Sequence, residues 1–147
     1  MTIKKFPSNL SSVKSRFTYR FLQALKKMNK NRPASPSIRE TYRRYHFIRV
    51  ASYASMASVI RPRRAWSYAT LWKIRNRALM KRSSRARSLT RNPRKDIGFE
   101  QVSDLRKLVP GGEEMKICRL LNETIHYIKC LEAQVEIMRN IVDHCST

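Results

Sequence analysis

Apart from its cations, this 147-residue chain carries few side chains able to do chemistry, and they are scattered. His46, His126 and His144 stand far apart, with no cysteine or acid at metal-ligand spacing. Cys118, Cys130 and Cys145 form neither a metal-ligand pattern nor an even framework, so they read as free thiols of a reducing, intracellular setting. No glycine-rich phosphate loop, carboxylate pair or nucleophile–base arrangement is present, so neither an enzyme, a metal centre nor a cofactor is expected. Electrostatics is what remains. Lys and Arg number 32 against 10 Asp and Glu, a net charge of +22. Self-repulsion on that scale calls for a polyanionic partner, with nucleic acid first, an acidic protein second and an anionic membrane surface third. Two basic runs, through Arg61, Arg63 and Arg64 and through Lys81, Arg82, Arg85 and Arg87, read either as nuclear-import signals or as ordinary solvated cations. The aromatics Tyr42, Tyr45, Trp66 and Trp72 have the chemistry to stack on bases, but such stripes more commonly serve a small core or a helix–helix contact.

The elements that position these groups divide along the charge. Residues 1–95 hold 26 basic side chains against the single acid Glu40, a net +25, whereas residues 96–147 hold 6 basic and 9 acidic, a net −3. Leu10, Val13, Phe17, Phe21, Leu25 and Met28 recur every three to four residues, which predicts an amphipathic helix over 8–29. The break 29–36 contains two prolines, with Ser35 as the expected N-cap and Pro36 at the first position of a second helix over 37–60. Ile38, Tyr42, Tyr45, Ile48 and Ser52 lie along one face of it. Pro62 ends that helix, and a third is expected from Ala65 to about Arg82, with Trp66, Ala69 and Trp72 on one stripe. Residues 81–95, rich in Arg and Ser with Pro93 among them, lack periodicity and read as a linker. No stretch has the length and apolarity of a signal sequence or a membrane span.

Beyond it the pattern changes. Phe99, Val102, Leu105, Leu108 and Val109 predict a short helix stopped at Pro110-Gly111-Gly112, where Gly111 can take the left-handed conformation. From Ile117 a strict heptad begins: Leu121, Ile128, Val135 and Val142 on one line, and Ile117, Thr124, Leu131, Met138 and Cys145 on the other. Such a period keeps one helical face on a partner helix. The seam could also serve the chain's own amino-terminal helices, but four heptads exceed what a short core helix needs.

A short helix, a Pro-Gly-Gly stop and a long heptad helix resemble the helix–loop–helix part of basic helix–loop–helix (bHLH) transcription factors. Leu105, Leu108-Val109-Pro110, Leu120-Leu121-Asn122-Glu123, Ile125, Tyr127-Ile128, Leu131 and Gln134-Val135-Glu136 carry the likeness over 97–138. Arg64-Ala65-Trp66-Ser67, Leu71-Trp72-Lys73-Ile74-Arg75-Asn76-Arg77-Ala78 and Arg20-Phe21-Leu22-Gln23-Ala24-Leu25 resemble blocks of atypical plant bHLH proteins, in particular non-DNA-binding repressors of cell elongation in brassinosteroid and gibberellin responses. The resemblance implies an all-α fold whose helix–loop–helix forms a four-helix bundle on dimerisation. The expected segments are a basic amphipathic helix (1–32), a basic helical region with the Trp block (33–82), a degenerate basic linker (83–96) and the dimerisation domain (97–147). Its interface would comprise Val102, Leu105, Leu108, Val109, Ile117, Leu120, Leu121, Ile125, Ile128, Leu131, Val135, Met138 and Val142.

Aligned on Val109-Pro110, the family's base-reading His, Glu and Arg fall on Arg87, Arg91 and Lys95. The Glu accepts a hydrogen bond from a cytosine amino group, and Arg91 has only donors. Pro93 costs roughly 3 kcal/mol in a stretch that must be helical, and Gly98 adds about 1. Ile117 replaces a phosphate-touching lysine. The resemblance therefore implies a nuclear regulator, and a repressor, that pairs with other bHLH or HLH proteins, or with itself, and keeps its partner from DNA. Weak salt-sensitive contact with nucleic-acid backbone stays open. A conventional DNA-binding bHLH factor and a basic RNA- or ribosome-associated protein are the alternatives.

Overall fold

The computed structural model describes residues 10–30, 37–60, 63–77 and 97–146. Among them the chain is all-α, with no strand. The helices are α1 (Leu10–Asn29), α2 (Ile38–Ile60), α3 (Ala65–Arg75), α4 (Ile97–Leu108) and α5 (Ile117–Cys145). The linker with Pro93 lies outside the described residues, as do Ser35 and Pro36. The cap of α2 falls two residues later than expected: the Glu40 backbone N–H donates to Ser37 Oγ at 3.3 Å. Ser37 and Glu40 have the spacing of a capping box, a start signal stronger than a Ser-Pro pair. α3 ends at Arg75, where Asn76 leaves the helical conformation (φ −99, ψ 21), and the expected continuation from residue 78 to Arg82 lies outside the described residues.

Packing divides the chain into two compact units, Met1–Val59 with Cys130–Thr147, and Ile60–Lys129. α5 contributes residues 117–129 to one unit and the remainder to the other. In the first unit Val13, Phe17 and Phe21 of α1 are buried, with the two rings stacked at 5.5 Å between centroids. α2 buries Ala51, Ser52, Ser55, Met56 and Ala57 from its second half. Ile38, Tyr42 and Tyr45, expected on the same stripe, are exposed. The small residues of the second half allow close helix packing, and the bulky first half extends past it. α5 supplies Cys130, Ala133, Gln134 and Ile137 to this core, with Gln134 Nε2 donating to Ser52 Oγ at 3.1 Å.

In the second unit Trp66, Leu71, Val109, Met115 and Leu120 are buried. The turn between α4 and α5 is fixed by glycine. Gly111 has φ +76, and a Cβ there would lie 2.9 Å from Ala69 Cβ. A Cβ on Gly112 would lie 2.7 Å from the Arg106 carbonyl oxygen. The Gly112 N–H donates to the Val109 carbonyl at 2.9 Å. The Arg106 guanidinium, from the last turn of α4, donates to the carbonyls of both Gly112 and Met115.

Candidate dimerisation face and the network behind it

α5 has two occupied faces. Along one, Glu123, His126, Cys130, Ala133 and Ile137 alternate by three and four residues, and all are buried within the chain. The other is the heptad seam. In the second unit Ile117, Leu121, Ile125 and Ile128 are between 48% and 53% exposed, and Leu108 of α4 is 73% exposed. In the first unit Val135 and Val142 are likewise exposed. Leu131 and Met138 are half-buried, as are Val102 and Leu105 of α4. Two residues assigned to the interface from sequence lie elsewhere: Val109 and Leu120 are fully enclosed in the second unit, packed where the Gly111-Gly112 turn folds back. Thr124, the polar exception in the heptad, donates its hydroxyl to the Leu120 carbonyl at 2.7 Å. The seam therefore shows no unfilled donor at that position.

Behind the seam is a polar network that sequence reading missed. The N-cap position of α3 is Arg64, which makes no side-chain cap, so the first N–H groups of that helix lack a local acceptor. Glu123 fills the place from another helix: the Trp66 N–H donates to Glu123 Oε2 at 3.1 Å, and Arg64 Nη1 lies 3.6 Å from Glu123 Oε1. A carboxylate at a helix amino end also complements the helix dipole. The Trp66 indole N–H donates to His126 Nδ1 at 3.1 Å, and its ring sits 5.0 Å from that of Tyr127. Burial first, and the Arg64 cation second, push the His126 pKa down to about 4 from the ordinary 6.5. The ring is neutral at pH 7, with Nδ1 free to accept and its proton on Nε2. Trp66 is thus a core residue, while Trp72, Tyr42 and Tyr45 are exposed. The signals available in sequence were the uncapped start of α3 and the second three-four stripe on α5, masked because its residues are small or polar.

Of the basic residues singled out from sequence, Arg63 is exposed, whereas Arg64 is half-buried and held by Glu123. Arg61, Lys81, Arg82, Arg85, Arg87, Arg91 and Lys95 lie outside the described residues. Among the described residues no group of His, Cys, Asp and Glu could hold a metal ion, and no helix is long and apolar enough to cross a membrane.

A short helix, a glycine elbow and a long helix with one face covered from within and an apolar face left open are the arrangement that the resemblance to helix–loop–helix proteins implies. Residues 10–78 match the family described as IBH1-like, N-terminal domain, which takes in α1, α2 and α3. The chain is 32% identical to "Transcription factor IBH1" of Oryza sativa subsp. japonica, across 90% of this chain and 79% of the relative. It is 49% identical to "Transcription factor bHLH146" of Arabidopsis thaliana over 29% of this chain and 27% of that one. It is 38% identical to "Transcription factor IBH1-like 1" of the same plant, over 47% and 39% respectively. The chain belongs to the IBH1 family. No solved structure matches it.

Proposed function

We propose that this protein is a nuclear transcriptional regulator that pairs through the open face of α4 and α5 with helix–loop–helix proteins, DNA-binding bHLH factors above all, and withholds them from DNA. The observation that carries the reading is the row Ile117, Leu121, Ile125 and Ile128, aliphatic and uncovered on a helix whose opposite face is already packed. Full burial of such a side chain from water contributes roughly 1.5–3 kcal/mol, so these four, already half covered, supply about 3–6 kcal/mol toward an association cost of about 4–15 kcal/mol, and the exposed Leu108, Val135 and Val142 add to it. The names of the relatives, all transcription factors, support the regulatory setting. The resemblance to repressors of cell elongation supports a restraint on growth under brassinosteroid control.

Repression follows from the degenerate positions Arg87, Arg91 and Lys95. A pair holding this chain has one reading helix instead of two. Each lost bidentate base contact removes about 1–3 kcal/mol of discrimination. A gel-shift titration tests the proposal. One equivalent of the full-length chain should abolish the band of a bHLH factor on its hexanucleotide site, and the chain alone should give none. A sequence-specific footprint by the chain alone at physiological salt would refute it.

A further inference from the structure

Neither the seam nor the Trp66 network uses a groove of about 680 Å³ in the first unit, lined by residues of α1 and α2. That volume is within the range of clefts that hold small ligands or single side chains. Its polar lining is one-sided in charge: Arg16 and Arg20, with Ser15, Tyr19 and Gln23, come from α1, Ser55 and Ser58 come from α2, and among the described residues no carboxylate lines it. Arg16 and Arg20 are four residues apart and so share a helical face. Both are exposed, and neither pairs with an acid among the described residues. The acids of α2 and α5 nearest in kind are committed elsewhere, Glu40 to Arg43 and Arg44 and Glu136 to Lys14.

Ser55 supplies the second, independent observation. It is only 7% exposed and lines the groove, yet its hydroxyl has no hydrogen-bond partner among the described residues. Ser15, Thr18, Ser52, Ser67, Thr70 and Thr124 all bond back to a carbonyl three or four residues earlier. A hydroxyl open to the groove on an otherwise enclosed residue, beside two guanidinium groups with no acid partner among the described residues, offers donors that an anion can accept from.

We infer that this groove binds a phosphate monoester, carried on a phosphorylated serine or threonine of a partner protein. A monoester brings a charge near −2 and three terminal oxygens, which two forked guanidinium groups and a hydroxyl can saturate. The diester of a nucleic-acid strand brings one charge per unit, and its recognition uses an extended basic track instead of two arginines at one groove. The site is separate from the dimerisation seam, so its failure and that of the proposed function are distinguishable.

The test uses full-length protein in about 150 mM salt and a fluorescein-labelled phosphoserine flanked by glycines. Anisotropy should show saturable binding that the unphosphorylated peptide lacks. Arg16→Lys with Arg20→Lys keeps the charge but removes the forks, and should weaken binding at least tenfold with an unchanged melting curve. Ser55→Ala should weaken it about threefold. Lys26→Ala with Lys27→Ala, on exposed positions of the same helix, should leave it within twofold. Equal loss in the two double variants would show bulk charge attraction and overturn the inference. Displacement by inorganic phosphate at the same concentration as by peptide would overturn the protein source. Displacement by a random 20-base-pair duplex, with the same dependence on Arg16 and Arg20, would replace the phosphopeptide by nucleic acid.

Discussion

The two faces of α5 depart from the usual rule for a helix. The side enclosed by the chain's own helices mixes Glu123, His126 and Gln134 with Leu120, Cys130, Ala133 and Ile137, while the face left to solvent carries Leu121, Ile125, Ile128, Val135 and Val142. Burying the second set would have released more apolar area. The enclosed polar groups mostly meet a specific partner: Glu123 the amino end of α3, His126 the indole of Trp66, and the Gln134 amide nitrogen the hydroxyl of Ser52, while Gln134 Oε1 has no hydrogen-bond partner among the described residues. Hydrogen-bond matching sets the internal register, and on the proposed function the exposed aliphatic row is the surface offered to a second molecule.

Three perturbations separate the faces, the largest expected effect first. Trp66→Ala removes the centre of the internal network and the indole donor to His126 Nδ1, while keeping the backbone N–H that Glu123 accepts. It should cost about 3–5 kcal/mol in urea unfolding, the range for deleting a large buried aromatic. If stability holds, the enclosed face does not carry the fold. Ile128→Asp acts on the other face: affinity for a bHLH partner should fall at least about 100-fold in calorimetric titration, as at a central interface position. The melting temperature of the chain alone should stay the same, because Ile128 is half exposed in it. A parallel loss of both would merge the two faces into one. The smallest effect is a pH dependence. With the folded His126 pKa near 4 and the unfolded value 6.5, the unfolded chain binds more protons between those limits. Stability is then complete above pH 6.5 and drains as pH falls toward 4, by about 2 kcal/mol between pH 7 and pH 5. His126→Gln should flatten that slope, and partner affinity per folded molecule should not follow it.

Much of this architecture is legible in the residues alone. The three-four spacing of Val13, Phe17 and Phe21, the Pro110-Gly111-Gly112 stop and the heptad from Ile117 are local signals, and each marks a helix or a turn where one is found. The illegible part is non-local. Glu123 caps a helix 57 residues away in sequence, and Gln134 meets a serine 82 residues away, so nothing beside either predicts burial. A hydropathy pattern places such residues in water. The same blindness assigned Leu120 to an intermolecular interface, although it is enclosed by the turn preceding it, and put Tyr42 and Tyr45 on a core stripe they do not join. Periodicity reports that a face is apolar; it does not report which molecule covers it.

The elbow at Gly111 and Gly112 bears on how fast a complex can form. Arg106 ties two carbonyls of that turn, and neither glycine has room for a methyl group, so α4 and the start of α5 hold their mutual angle before any encounter. A binder shaped in advance loses little ordering entropy on docking. If the proposed function holds, such a preset elbow gives this chain a head start in association rate over a rival that must first fold to engage the same partner.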